Sequence, residues 1–252
     1  ELIFLVRQLE HLAACDWSHW ALCVDTFKRF CHHPGQGERV SLAFRGVALP
    51  LTASDQRALC TAIAEQFAVH SSCAPAASAV PTRLRVGYLG SRFGHHATGL
   101  LLQNFMAAHD PAAVEVFLLD TASDDGSAAS QRLRQTPRLQ TISLKELDDA
   151  TAAERISALK LDILVDLNGY NDDPRPGILA RHPAAIQVAW LAAPYSTGAP
   201  WMDYIISDPH VRPGEGWCSE AEALLPECYF VFSHGNPPIP PPSRETLGLP
   251  EN

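Results

Sequence analysis

Residues 83–120, RLRVGYLGSRFGHHATGLLLQNFMAAHDPAAVEVFLLD, decide the fold. RVGYLG (85–90) and VEVFLLD (114–120) are short apolar runs of buried-strand length. TGLLLQNFMAAH (98–109), between them, repeats apolar residues at helical intervals. Strand, helix and strand in that order form a βαβ unit with parallel strands. The alternation continues through SAASQRLRQ and LQTISL, TAAERISALK and LDILVDL, then GILARH, IQVAWL and DYIISD. The expected class is therefore α/β, a mostly parallel sheet with helices on both faces. Right-handed crossovers bring every strand's carboxyl end to one edge, and ligands bind in the crevice beyond it.

Upstream, the texture is helical. LIFLVRQLEHLAA (2–14), WSHWALCVDTFKRFC (17–31) and DQRALCTAIAEQFAVH (55–70) carry apolar residues three and four apart. Thr52 with Asp55 three residues on resembles a capping box at the start of the third helix. SSCAPAASAVPT (71–82) reads as a linker. PPIPPPSRETLGLPEN (237–252) has five prolines in its first seven residues, which predicts an extended, stiff strap leading into something further. The expected organisation is a helical segment and linker over 1–82, an α/β lobe over 83–240, and the strap over 241–252.

A net charge of −9 argues against nucleic acid as the main partner, since phosphate contacts need clustered Lys and Arg. No apolar run reaches the ~18 residues of a membrane span, and the opening residues lack a signal-peptide pattern, so a cytoplasmic protein is expected. The seven cysteines form no C-x-x-C pair, which predicts neither a disulfide framework nor a zinc ribbon. Cys31-His32-His33 is read as a polar helix end rather than a metal site. The glycines of GYLGSRFG (87–94) do not make the G-x-G-x-x-G fingerprint, which argues against a dehydrogenase.

Three polar loops fall at the expected carboxyl edge. The first carries His95 and His96 just before Thr98 at a helix start, where backbone N–H groups and the helix dipole favour anionic or hydroxyl groups. An imidazole there is a natural general base near neutral pH; a surface cap is the alternative. The second carries Asp166 and Asn168 on one side of a strand end, then Gly169 and Tyr170, and an Asx turn is the competing reading. The third, Pro194-Tyr195-Ser196-Thr197-Gly198, is rich in hydroxyls suited to sugar or peptide contact, or is simply a turn. The acidic TASDDGSAAS (121–130) reads as an ordinary solvated connection or helix cap.

In order and spacing, LRVGYLGSRFGHHATG, DILVDLNGY, LARHPAAIQVAWLAAPYSTGAPWMDYIISD and LPECYFVFSHGN resemble the N-terminal catalytic lobe of the O-linked N-acetylglucosamine transferase family, which includes the SPINDLY-type proteins. The helical segment around Cys15-Asp16-Trp17 resembles that family's bridge from upstream tetratricopeptide repeats. The resemblance implies a GT-B enzyme of two Rossmann-like lobes. It would be an inverting, metal-independent transferase, without cofactor, moving N-acetylglucosamine from UDP-N-acetylglucosamine to Ser or Thr hydroxyls of proteins. The alternatives are protein O-fucosyl transfer from GDP-fucose and a non-catalytic, repeat-based scaffold.

Residue by residue, the family's F-G-x-H-x-T stretch falls on Phe93 to Thr98, which gives His96 the catalytic role. His95, Thr98, Asp166, Asn168, Tyr170, Pro194, Tyr195, Thr197 and Gly198 are expected on the substrate side. The sequence departs from the family at Arg92, where an acid is common, at His95, where Asn is, and at Ala97, where Pro is. The family holds uridine and diphosphate mostly in its C-terminal lobe. LGLPEN resembles the start of that lobe, so the donor grip is expected outside residues 1–252, and the C-terminal lobe is itself an expected partner.

Overall fold

The structure, a computed structural model, describes residues 2–32, 40–68, 82–171, 173–191, 193, 195–231 and 242–250. Four helices come first: α1 (Leu2–Ala13), α2 (Trp20–His32), α3 (Val40–Arg45) and α4 (Ala53–Ala64). Their shared core follows the helical period. Leu5 and Leu9, then Val24, Phe27 and Phe30, then Leu59, Cys60 and Ile63 all turn inward. α4 starts at the anticipated capping box: the Asp55 amide donates to Thr52 Oγ1 at 3.1 Å, and the Thr52 amide donates to Asp55 Oδ2 at 2.9 Å. His32 ends α2 against the same aspartate, with Nε2 2.7 Å from Asp55 Oδ1. His33 and the linker 71–81 lie outside the described residues, as do residues 237–241 of the strap. Residues 244–248 form turns.

The lobe that follows alternates strand and helix. Its elements are β1 (Leu84–Gly90), α5 (Ala97–Phe105), β2 (Val114–Asp120), α6 (Ala128–Arg134), β3 (Gln140–Ser143), α7 (Asp149–Ser157), β4 (Ile163–Asp166), α8 (Pro176–Leu179), β5 (Ile186–Ala189), β6 (Tyr204–Ser207) and β7 (Ala221–Leu224). All pairings are parallel, in the order β3-β2-β1-β4-β5-β6-β7. The order grows one way from β1 to β3 and then turns back at β4, so β1 and β4 flank the topological switch point.

Strand alternation fills two separate cores. Leu89, Phe117, Leu119 and Leu164 pack on one face with α7 residues Ala152, Ala153 and Ile156. Val86, Tyr88, Val116, Leu118 and Val165 pack on the other with Leu102, Met106 and Leu133. Each such side chain contributes about 1.5–3 kcal/mol on burial, so the apolar runs are enough to fix register.

The structure adds two elements that the apolar pattern does not announce. α3 is a six-residue helix, and β7 is an edge strand held by Glu222. Glu222 accepts a two-pronged bond from Arg212, at 2.9 and 2.8 Å, and a third from Trp217 Nε1 at 2.6 Å. Among the described residues no helix is long and apolar enough to cross a membrane, and the six described cysteines are free thiols.

Candidate functional site

The loop from β1 to α5 is built around a missing side chain. A Cβ on Gly99, in the first turn of α5, would stand 2.3 Å from the Gly94 carbonyl oxygen and 2.7 Å from the Phe93 carbonyl carbon. Glycine alone lets the turn lie on the helix. The His96 amide donates back to the Gly94 carbonyl at 2.8 Å, which closes the turn and leaves His96 as the N-cap of α5. Its ring takes the place of the usual Ser or Asp: Nδ1 accepts the Thr98 amide at 3.4 Å. A ring nitrogen that accepts cannot carry the proton, so the neutral ring in this arrangement holds its hydrogen on Nε2. His96 is half-buried and His95 exposed.

His95 is held through its backbone. Its amide donates to Asp125 Oδ2 at 2.7 Å, and Asp125 Oδ1 accepts the Ser127 amide at 3.0 Å. These bonds hold the Asp125 carboxyl well below the ordinary range, at about 2. The acidic loop after β2, expected to be a solvated connection or helix cap, is exposed and also anchors the histidine loop.

Across the switch point, Ser91 and Asn168 exchange hydrogen bonds. The Ser91 amide donates to Asn168 Oδ1 at 3.2 Å, and Asn168 Nδ2 donates to Ser91 Oγ at 3.0 Å. Both residues are buried, so the pair zips the β1 and β4 loops together. Arg92 and Asp173 add an exposed ion pair at 3.3 Å across the same gap. Asp166, expected on the substrate side, braces the turn after β4. Its carboxylate accepts the Asn168 and Gly169 amides, each at 3.0 Å. Burial pushes its pKa up to about 6, against the two amides that favour the charged form.

The second and third loops each bury a phenol. Tyr170 and Tyr195 are both buried in the core of the helical segment, beside Leu59, Cys60 and Ile63. Tyr170 donates to the Thr197 carbonyl at 2.9 Å, tying the β4 loop to the β5 loop. The Tyr195 hydroxyl has no partner among the described residues, and burial raises its pKa well above the ordinary phenol value. Thr197 and Gly198 are buried too, and Thr197 donates from its amide at 2.6 Å to Glu220 Oε1. Pro194 lies outside the described residues.

Two hydrogen-bonded sets thus sit at the switch point, His96 with Thr98 and His95 with Asp125 on the β1 loop, and Asn168 with Ser91 and Asp166 on the β4 loop. Tyr170, Tyr195, Thr197 and Gly198 form the wall behind it. Asp125, Ser91 and Glu220 were not singled out in the sequence. For Asp125 the signal was an Asp-Asp-Gly turn one crossover away on the same edge. Among the described residues no group of three or more His, Cys, Asp and Glu is placed to hold a metal ion.

A doubly wound parallel sheet with hydrogen-bonded polar loops at its switch point defines a ligand-binding α/β lobe. The chain belongs to glycosyl transferase family 41, whose profile matches residues 53–237. It is 33% identical over 206 residues to a probable UDP-N-acetylglucosamine–peptide N-acetylglucosaminyltransferase of Arabidopsis thaliana, covering 77% of this chain and 21% of that protein. It is 36% identical over 155 residues to the UDP-N-acetylglucosamine–peptide N-acetylglucosaminyltransferase of Caenorhabditis elegans, covering 60% of this chain and 13% of that protein. Among solved structures, a mutant O-GlcNAc transferase of Thermobaculum terrenum matches with a TM-score of 0.69 and 28% identity, over 82% of this chain and 42% of the other. The chain therefore spans about a fifth or less of the length of these two curated relatives.

Proposed function

We propose that the chain is the acceptor-side lobe of a protein glycosyltransferase that moves N-acetylglucosamine from UDP-N-acetylglucosamine to a Ser or Thr hydroxyl, with inversion and without a metal. The observation that carries this is His96: in a member of family 41, it caps a helix at the carboxyl edge of β1, beside the switch point. Transfer to a hydroxyl requires that its proton be taken as the sugar bond forms. The lone pair on Nδ1 is the one able to take it, because Nε2 carries the hydrogen in the capped ring. The 3.4 Å contact to the Thr98 amide is long, and an incoming hydroxyl can replace it at little cost. Protonated His96 would then be the donor to pass the proton on through Nε2. Asn168, held by Ser91, offers an amide to the acceptor or the sugar, while His95 and Thr98 shape the entrance. The departing diphosphate also needs stabilisation, and we assign it to a C-terminal lobe.

The test is calorimetry and transfer on the product of the complete reading frame. Binding of UDP and UDP-N-acetylglucosamine, with transfer to a Ser/Thr peptide, is expected. Binding and transfer of GDP-fucose instead would overturn the donor assignment, and loss of activity on chelation would overturn metal independence.

A further inference from the structure

Glu220 stands just before edge strand β7, far from the histidine loop in sequence, yet it is buried (6% exposed). Its carboxylate is filled entirely by short polar groups. Oε1 accepts the Thr197 amide at 2.6 Å and the Thr197 hydroxyl in a very short bond. Oε2 accepts the Ser196 hydroxyl at 2.7 Å, the Ser219 amide at 3.1 Å and the Ser219 hydroxyl at 3.3 Å. Ser196 Oγ also accepts the Gly198 amide at 3.1 Å. A buried carboxylate left short of donors would be costly; this one is supplied from two segments at once and so locks them together.

The clamped residues adjoin strained backbone. Leu191 stands at φ 76, in the left-handed region a branched side chain avoids. Gly198, next to Thr197, stands at φ 61, pressed so near α4 that a Cβ would meet the Thr61 amide nitrogen at 2.4 Å. The Thr197 carbonyl receives the Tyr170 hydroxyl at 2.9 Å, which ties this loop to the β4 loop that carries Asn168. Strained backbone beside a site persists only where its surroundings overdetermine it.

We propose that Glu220 is a positioning residue for the transfer reaction. By clamping Ser196 and Thr197 it sets the β5 loop, and through Tyr170 the β4 loop with Asn168. This rests on the acceptor-side reading above.

The test has two arms. In the first, amide hydrogen exchange is read on this chain and on Glu220→Gln, whose amide group would present hydrogens to donors that already point at it. Exchange at Thr197, Gly198 and Ala199 is expected to rise roughly tenfold or more, with β1 and β2 unchanged. If Glu220→Gln does not fold, Thr197→Val, which removes one hydroxyl and keeps the amide, is read instead with a smaller effect in the same direction. In the second arm, the product of the complete reading frame is assayed at saturating acceptor. The expected result is a kcat lowered about tenfold or more with nucleotide-sugar affinity unchanged. Unchanged exchange at 197–199 overturns the clamp. Faster exchange with an unchanged kcat overturns the positioning role and leaves Glu220 a purely structural residue. If the unsubstituted protein transfers no sugar, the proposed function falls and takes the catalytic half of the proposal with it, while the exchange arm still decides whether Glu220 sets the loop.

Discussion

Gly99→Ala separates the stability of the lobe from the placement of its histidine. In a helix, alanine is favoured over glycine by about 1 kcal/mol, so propensity alone makes the substitution stabilising. The new Cβ, however, would stand 2.3 Å from the Gly94 carbonyl oxygen, where ordinary contact begins at 3.4 Å. The backbone of residues 93–94 must therefore retreat by 3.4 − 2.3, or about 1.1 Å. Overpacking of this kind costs about 1–3 kcal/mol, of which the helix gain offsets about 1. The net loss in stability is thus about 0–2 kcal/mol. The displacement is a large one for catalysis, because about 1 Å of misplacement can cost on the order of 10²-fold in rate. Urea unfolding of the chain should show a cooperative transition with a midpoint lowered by no more than that loss, about 1 M or less. Heteronuclear NMR should show the His96 ring and the Thr98 amide shifted, and turnover of the complete protein should fall about a hundredfold. Unmoved His96 and Thr98 signals would refute the close-packed turn, and full turnover with moved signals would refute the role given to the turn.

Asp166 gives a pH dependence of defined sign. Its folded pKa of about 6 lies above the ordinary carboxyl value of 3.8, so the folded state binds the extra proton between those values and this residue's contribution falls as pH rises through them. Stability of Asp166→Asn relative to the unsubstituted chain should improve by roughly 2 kcal/mol between pH 4 and pH 7, on top of a constant cost for the lost acceptor; denaturant titrations showing a pH-independent difference would contradict this. Asp125 behaves oppositely. Its depressed pKa of about 2 means that the bond to the His95 amide is complete above the ordinary carboxyl range and is lost as pH falls through about 2. Carbon-detected NMR should place its midpoint there, and Asp125→Ala should speed exchange of the His95 amide; a midpoint near 4 would mean that the anchor is not made.

The sheet was legible because its central strands are buried on both faces and must be nearly continuous apolar runs. β7 was not, because Ala-Glu-Ala-Leu at an edge is half-exposed and is held by Arg212 and Trp217 through Glu222 rather than by apolar burial. α3 is too short to show a period. The Thr52–Asp55 box was readable since both of its bonds lie within one turn. The histidine loop was placed correctly at the edge, but its support was hidden, since Asp125 acts over 30 residues and Glu220 over 23 from Thr197. A carboxylate in an acidic or polar stretch looks solvated until the fold shows which amides it reaches. Tyr170 and Tyr195 show the reverse problem. Hydroxyl-bearing side chains in a polar loop read as substrate contacts, whereas α4 packs over them and turns them into core.

The central claim is that His96 moves the acceptor's proton, and its most direct measurement is steady-state transfer by His96→Ala in the product of the complete reading frame. Turnover of a Ser or Thr peptide should fall by roughly 10²-fold or more, the scale of lost general-base catalysis. Affinity for the nucleotide sugar should be unchanged, and His95→Ala should lose far less. If His96→Ala transfers sugar at the unsubstituted rate, His96 is a helix cap and nothing more.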